Sequence, residues 1–140
     1  MRQDDPETIV DAAYAAWRLQ DEEAWLAYCA ESVVYTLHVP TDLFPFGGSS
    51  VGKEAARRRL CMIWDLWEFL EMAPGQLTVD GCVVRALVTF RCRHRSTGRL
   101  LEGRKRNVWR VENGLVTRYE TFHDLERVRA FMRLATTEQA

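Results

Sequence analysis

Residues 118–128, "RYETFHDLERV", place an imidazole, His123, directly before a carboxylate, Asp124. An imidazole with an ordinary pKa of about 6.5 takes or gives a proton at neutral pH, so His123 is a candidate general base. Asp124 has two readings: a partner in that chemistry, or a cap, since an Asp just ahead of Leu125-Glu126-Arg127 can accept from free helix amides. His38 and His94 are the other histidines, and all three could meet at a pocket mouth. No H-x-H or H-E-x-x-H spacing supports a metal centre, so no metal is expected. Tyr14, Tyr35 and Tyr119 offer hydroxyls that would orient a polar ligand or simply fill the core. Lys105 falls on an otherwise apolar strand face. It would partner a carbonyl or an anion, or run its stem to the rim and hydrate its ammonium.

The elements that must hold these groups are legible from spacing. Asp5-Pro6 opens a helix over residues 6–19, with Ile9, Val10, Ala13, Ala16 and Trp17 at helical intervals. Asp21 caps a second helix carrying Trp25 and Leu26. "SVVYTLHV", residues 32–39, reads as a strand. The Pro/Gly/Ser-rich stretch 40–52 reads as a loop, and its Leu43, Phe44 and Phe46 should fold over something apolar. A third helix is expected over 53–70, with Trp64 and Trp67 on its apolar side. Turn signals at Asp80-Gly81, Ser96-Thr97-Gly98 and Asn113-Gly114 then divide the chain into strands near 76–80, 82–95, 99–111 and 115–123. A short closing helix follows. Helices first and an antiparallel meander second predict an α+β fold, with residues 1–140 as a single domain.

Alternation assigns the faces. In 82–95 the even residues, Val84 to His94, are apolar, and in 99–111 the odd residues, Leu101 to Val111, are inner. In 115–123 the odd set puts Tyr119 and His123 inside and Val116 outside. Arg85, Arg91, Arg93, Arg104, Arg106 and Arg110 gather on the outer face, beside Glu102 and Glu120. Such a face suits solvent or a homodimer. With a net charge of −1 and no interleaved exposed aromatics, nucleic acid is not the expected partner.

Composition narrows the class further. At 47% hydrophobic and 28% charged, the chain is globular, and its five Trp, four Tyr and six Phe suffice to line a pocket as well as fill a core. The opening "MRQDDPETIV" has no apolar stretch of the secretory kind, and no run of about 20 apolar residues is present, so a membrane is not an expected partner. Cys29, Cys61, Cys82 and Cys92 lack C-x-x-C spacing and read as reduced core thiols of a cytoplasmic protein, a Cys82–Cys92 disulfide being the less favoured alternative.

The order of these elements, together with "GKEAARRRL" (52–60) and "VWRVENGLVTRYETFHD" (108–124), resembles the SnoaL-like, ketosteroid isomerase-like branch of the nuclear transport factor two-like superfamily over residues 6–134. The resemblance implies a cystatin-like cone: a strongly curved, mostly antiparallel sheet wrapped around N-terminal helices, with an apolar pocket and often a homodimer. It implies no cofactor. Steroid isomerases of this type use a carboxylate at the end of the first strand, where Thr36-Leu37-His38 stands here. Their oxyanion hole combines a helix Tyr with a protonated Asp; those positions fall on Ala13, beside Tyr14, and on Asn107. SnoaL-like cyclases use an Asp near the end of the last strand, the region of His123 and Asp124.

The reading is a pocket protein for a small apolar or aromatic molecule. It would be an isomerase or lyase that moves a proton next to a carbonyl, with His123, Asp124, Asn107 and Tyr119 as machinery. Tyr14, Trp17, His38, Phe44, Trp64, His94 and Trp109 would bind the ligand. The alternative is a non-catalytic ligand-binding or dimerisation module of the same fold, and a carboxylate-driven hydrolase ranks last.

Overall fold

A computed structural model describes residues 5–139. Helix α1 (Pro6–Arg18) opens on its proline; the Asp5 side chain makes no capping bond. Ile9, Val10, Ala13, Tyr14, Ala16 and Trp17 bury one face of it. In α2 (Glu22–Ala27) the Asp21 side chain accepts from the Ala24 amide at 3.0 Å, the cap expected there. The chain then runs β1 (Cys29–His38), β2 (Gly48–Val51), α3 (Lys53–Leu66), β3 (Trp67–Pro74), β4 (Thr78–Asp80), β5 (Val83–His94), β6 (Leu100–Glu112), β7 (Leu115–Phe122) and α4 (Leu125–Gln139).

The described strands form one seven-stranded sheet in the order β2-β1-β7-β6-β5-β3, with β4 also paired to β5. All neighbours are antiparallel except β1 and β7. Register shifts between Cys29 and Val34, Phe69 and Glu71, and Arg110 and Val111 bend the sheet. The result is the α+β cone expected, with α1 and α3 packed in its concave face. Asn113 and Gly114 at φ 53° and 75° make the β6–β7 turn, which needs two positive φ angles in sequence.

Four expectations are corrected. The third helix stops at Leu66, and residues from Trp67 form β3, with Trp67 at φ −134° and ψ 136°. Residues 64 and 67 fit a helix spacing, but pairing of Trp67 through Pro74 with β5 outweighs that local pattern. The 40–52 loop contains a short strand, β2, which exists only because β1 pairs with it. Val116 is buried rather than outward, because the shift on β7 inverts the alternation before Arg118. The closing helix runs to 15 residues.

The basic outer face is as read: its six arginines are exposed. Arg93 pairs there with Glu68 at 3.0 Å, while Glu120 bonds His38 instead of an arginine. All four cysteines are free; Cys29 and Cys92 are buried, and Cys61 and Cys82 only partly so. No helix among the described residues is long and apolar enough to cross a membrane.

Candidate functional site

Between the concave sheet face, α1, α3 and the loop after β1 lies a cavity. It is narrow: only ≈ 30 Å³ is wide enough for the centre of a water molecule. Aromatic rings dominate its wall. Trp17 meets Phe69 edge to face at 4.6 Å, and Trp67 meets Phe44 at 5.6 Å.

The loop 40–47 closes this space. Leu43, Phe44 and Phe46 are all buried, folded over the apolar interior as expected. Phe44 and Phe46 stack at 4.9 Å, and the Gly47 amide bonds the Phe44 carbonyl at 2.8 Å. Gly47 is required here, since a Cβ would lie 2.1 Å from the Val39 carbonyl oxygen. One guanidinium nitrogen of Arg59, from α3, donates to the carbonyls of Phe46, Gly47 and Gly48 at 2.5, 2.7 and 3.1 Å. Phe46 and Gly47 lie outside regular structure and Gly48 starts the edge strand β2, so Arg59 supplies donors these carbonyls would otherwise take from water.

His123 follows the end of β7 and lines the cavity. The residue is half-buried, its ring set edge to face against Phe90 at 5.2 Å and Phe44 at 6.0 Å. Neither ring nitrogen has a hydrogen-bond partner among the described residues. Burial, helped by the positive charge of Lys105, pushes its pKa down to about 3, so the imidazole is neutral at pH 7.

Lys105 also lines the cavity and is 6% exposed. Its Nζ stands 5.4–5.7 Å from the ring centres of Phe90, Trp17 and Phe69, and it makes no hydrogen bond or ion pair among the described residues. Burial lowers its pKa from 10.5 to about 8. The snorkelling alternative does not apply, because the ammonium stands inside the cavity among the rings of Phe90, Trp17 and Phe69.

Of the expected machinery, Tyr119 also reaches the cavity. Burial, reinforced by the neighbouring Tyr35 and Tyr14 phenols, holds its phenol well above the usual range, so it stays protonated. Asn107 does not line the cavity. It is fully buried, donates to the Tyr14 hydroxyl at 2.8 Å and accepts from the Thr121 hydroxyl at 3.1 Å. Trp109 donates to the same Tyr14 oxygen at 3.1 Å. Asn107 thus meets Tyr14, the neighbour of Ala13, inside a core network. Asp124 is the helix cap of the two readings: its side chain accepts from the Arg127 amide at 3.3 Å and is exposed.

Of the ligand-binding set, Trp17 and Phe44 line the cavity. Tyr14 and Trp109 belong to the core network just described. Trp64 stands behind Trp17, edge to face at 5.6 Å. His38 lies outside, stacked on Phe122 at 4.1 Å and bonded to Glu120 at 2.8 Å. His94 packs against Trp67 and bonds the Thr97 hydroxyl at 2.9 Å, without lining the cavity. The histidines therefore do not converge, and no group of three His, Cys, Asp or Glu side chains among the described residues is placed to hold a metal.

Sequence reasoning set the cavity residue Trp67 on a helix instead of on β3, and missed Phe69 and Arg59. Phe69 was hidden by the helical spacing that precedes it, although Trp67 and Phe69 alternate as a strand pair does. Nothing local marks Arg59 among three successive arginines.

Comparison with known proteins agrees with this geometry. An NTF2-like protein from Burkholderia thailandensis is 27% identical, with a TM-score of 0.80 over 94% of this chain and 98% of its own. An NTF2-like protein of unknown function from Burkholderia pseudomallei is 24% identical, with a TM-score of 0.82 over 96% and 98%. TerC, crystallised with polyporic acid, is 19% identical, with a TM-score of 0.79 over 91% and 98%. No curated protein matches the sequence. The SnoaL-like domain pattern matches residues 10–119, most of the chain, and the protein belongs to that family.

Proposed function

We propose that the protein binds a small, flat, largely apolar molecule in this cavity and moves a proton next to its carbonyl. The observation that carries the reading is the neutral, unpartnered imidazole of His123 facing the same apolar space as the ammonium of Lys105. His123 accepts the proton. Lys105 stabilises the negative charge that develops on the carbonyl oxygen, with Tyr119 in support, in a site that excludes water. The narrow void means that the Phe44/Phe46 loop moves to admit the ligand.

The test is deuterium incorporation next to the carbonyl of small cyclic ketones and lactones in D2O, followed by NMR. Wild type should exchange faster than buffer, and His123→Ala should lose roughly two to four orders of magnitude. Exchange equal to buffer, with binding intact, would replace this reading by the second one.

That second reading, a binding module without chemistry, draws on the low basicity of His123, whose pKa of about 3 is far from the working pH of a general base. The expected homodimer through the outer sheet face is part of the proposal as well. Leu87 and Phe122 are 47% and 38% exposed in a groove shared with Arg85, Arg104 and Arg106. Sedimentation of Phe122→Glu against wild type tests it. A cytoplasmic location is proposed on the four free thiols.

A further inference from the structure

Among the described residues, Lys105 is the one formally charged side chain lining the cavity, and no Asp or Glu lines the cavity with it. The other titratable groups of the lining are uncharged at neutral pH. Burial raises the Tyr35 and Tyr119 phenols, pushes the Cys92 thiol up to about 12, and pushes His123 down. The groove on the far side, which Lys105 and His123 also border, adds Arg85, Arg104 and Arg106 against a single carboxylate, Asp124. The surroundings of the ammonium therefore supply positive charge and ring faces, and no oxygen anion at bonding distance.

An ammonium carries three donors, and none of them has an acceptor among the described residues. Ring faces compensate only part of the lost hydration, and a buried charge without a partner is a state that folded proteins avoid. A neutral carbonyl would accept one hydrogen bond but leave the charge uncompensated. A cationic one would add repulsion. A ligand oxygen bearing one negative charge would complete it, and the ring-lined walls select a flat apolar body for that oxygen to sit on.

We propose that the cavity takes a flat aromatic monoanion, and that its anionic oxygen, whether carboxylate, phenolate or enolate, pairs with the Lys105 ammonium. This rests on the proposed cavity as the ligand site but needs no turnover by His123. Binding of the anion stabilises the protonated amine, so at about pH 8, where the empty site is only partly protonated, binding takes up protons. Near pH 6 Lys105 is already charged and contributes no uptake.

The experiment titrates the full chain with 2-naphthoate and with its neutral counterpart 2-naphthamide, reading tryptophan fluorescence and melting temperature. 4-Nitrophenolate at pH 8 serves as the phenolate arm. Wild type should bind an anion roughly 10–100-fold tighter than the amide, the worth of a hydrogen bond to a charged group. Lys105→Met should reduce that preference to about twofold or less while still binding the amide. Calorimetry of the anion in two buffers of different ionisation enthalpy should show proton uptake at pH 8 that disappears near pH 6. Binding of only one anion type supports the proposal and names the oxygen chemistry. Equal affinity for acid and amide, no binding of either anion, or a preference that survives Lys105→Met overturns it. The His123→Ala variant separates the two readings. Loss of deuterium exchange with the anion preference kept is expected if both hold. A preference found in a protein that exchanges no faster than buffer sinks the proton-transfer reading alone.

Discussion

Replacing Lys105 by Met asks how much the empty cavity costs the fold. The two side chains are close in volume, so the change removes a charge and creates little void. The fall in the lysine pKa from 10.5 to about 8 corresponds to about 3 kcal/mol of folded-state penalty on the charged form. The rings of Trp17, Phe69 and Phe90 lie at the outer range of useful contact and offset about 1 kcal/mol of it. Lys105→Met is therefore expected to stabilise the protein by about 2 kcal/mol near pH 6.5, about 6 °C in Tm for a domain of this size. The sign with pH follows from linkage. The folded pKa lies below the unfolded one, so between about pH 8 and 10.5 the unfolded chain holds the extra proton. Wild type gains stability as pH rises through that window, and the advantage of Met shrinks with it. Urea unfolding of both proteins near pH 6.5, 8 and 9.5 reads the difference. A gap that does not change with pH, or a variant less stable than wild type at pH 6.5, refutes the reasoning and puts the ammonium in contact with water.

Three further outcomes are expected. His123 is held neutral, so the unfolded chain protonates first as pH falls from about 6.5 towards 3, and stability is lost across that interval; His123→Phe should flatten the acid limb of a pH–Tm profile, and an unchanged limb would place the titration elsewhere. Arg59→Met leaves three loop carbonyls without their donor and should cost about 2–3 kcal/mol by denaturant unfolding, with faster ligand association as the loop loosens. A variant with wild-type unfolding and association rates would remove Arg59 from the closure. Asn107→Ala breaks the links to Tyr14 and Thr121 and should cost about 2–4 kcal/mol. If stability is intact and only exchange falls, Asn107 belongs to the chemistry after all.

Much of this protein is written locally. The capping Asp21, the Asn113-Gly114 turn, and the alternation of Val84 to Cys92 and Leu101 to Val111 state the elements and the faces, because each depends on neighbours within a few residues. That alternation also turned Lys105, Tyr119 and His123 inward. What remained needed partners far along the chain. β3 is a strand because β5 lies beside it, β2 because β1 does, and Val116 turns inward because a register shift inverts its strand. The same holds for the site. Whether Asn107 faces a ligand or a tyrosine depends on where α1 crosses β6, and it faces Tyr14. His38 sits on the outside, stacked on Phe122 and bonded to Glu120, and Asp124 is there as the cap of α4. Sequence by itself determined the cone, its inner face and three side chains directed into it. Tertiary structure alone decided which of them share one cavity, because burial and the lack of a counter-ion are properties of everything packed around a group, and a chain of residue types does not contain them.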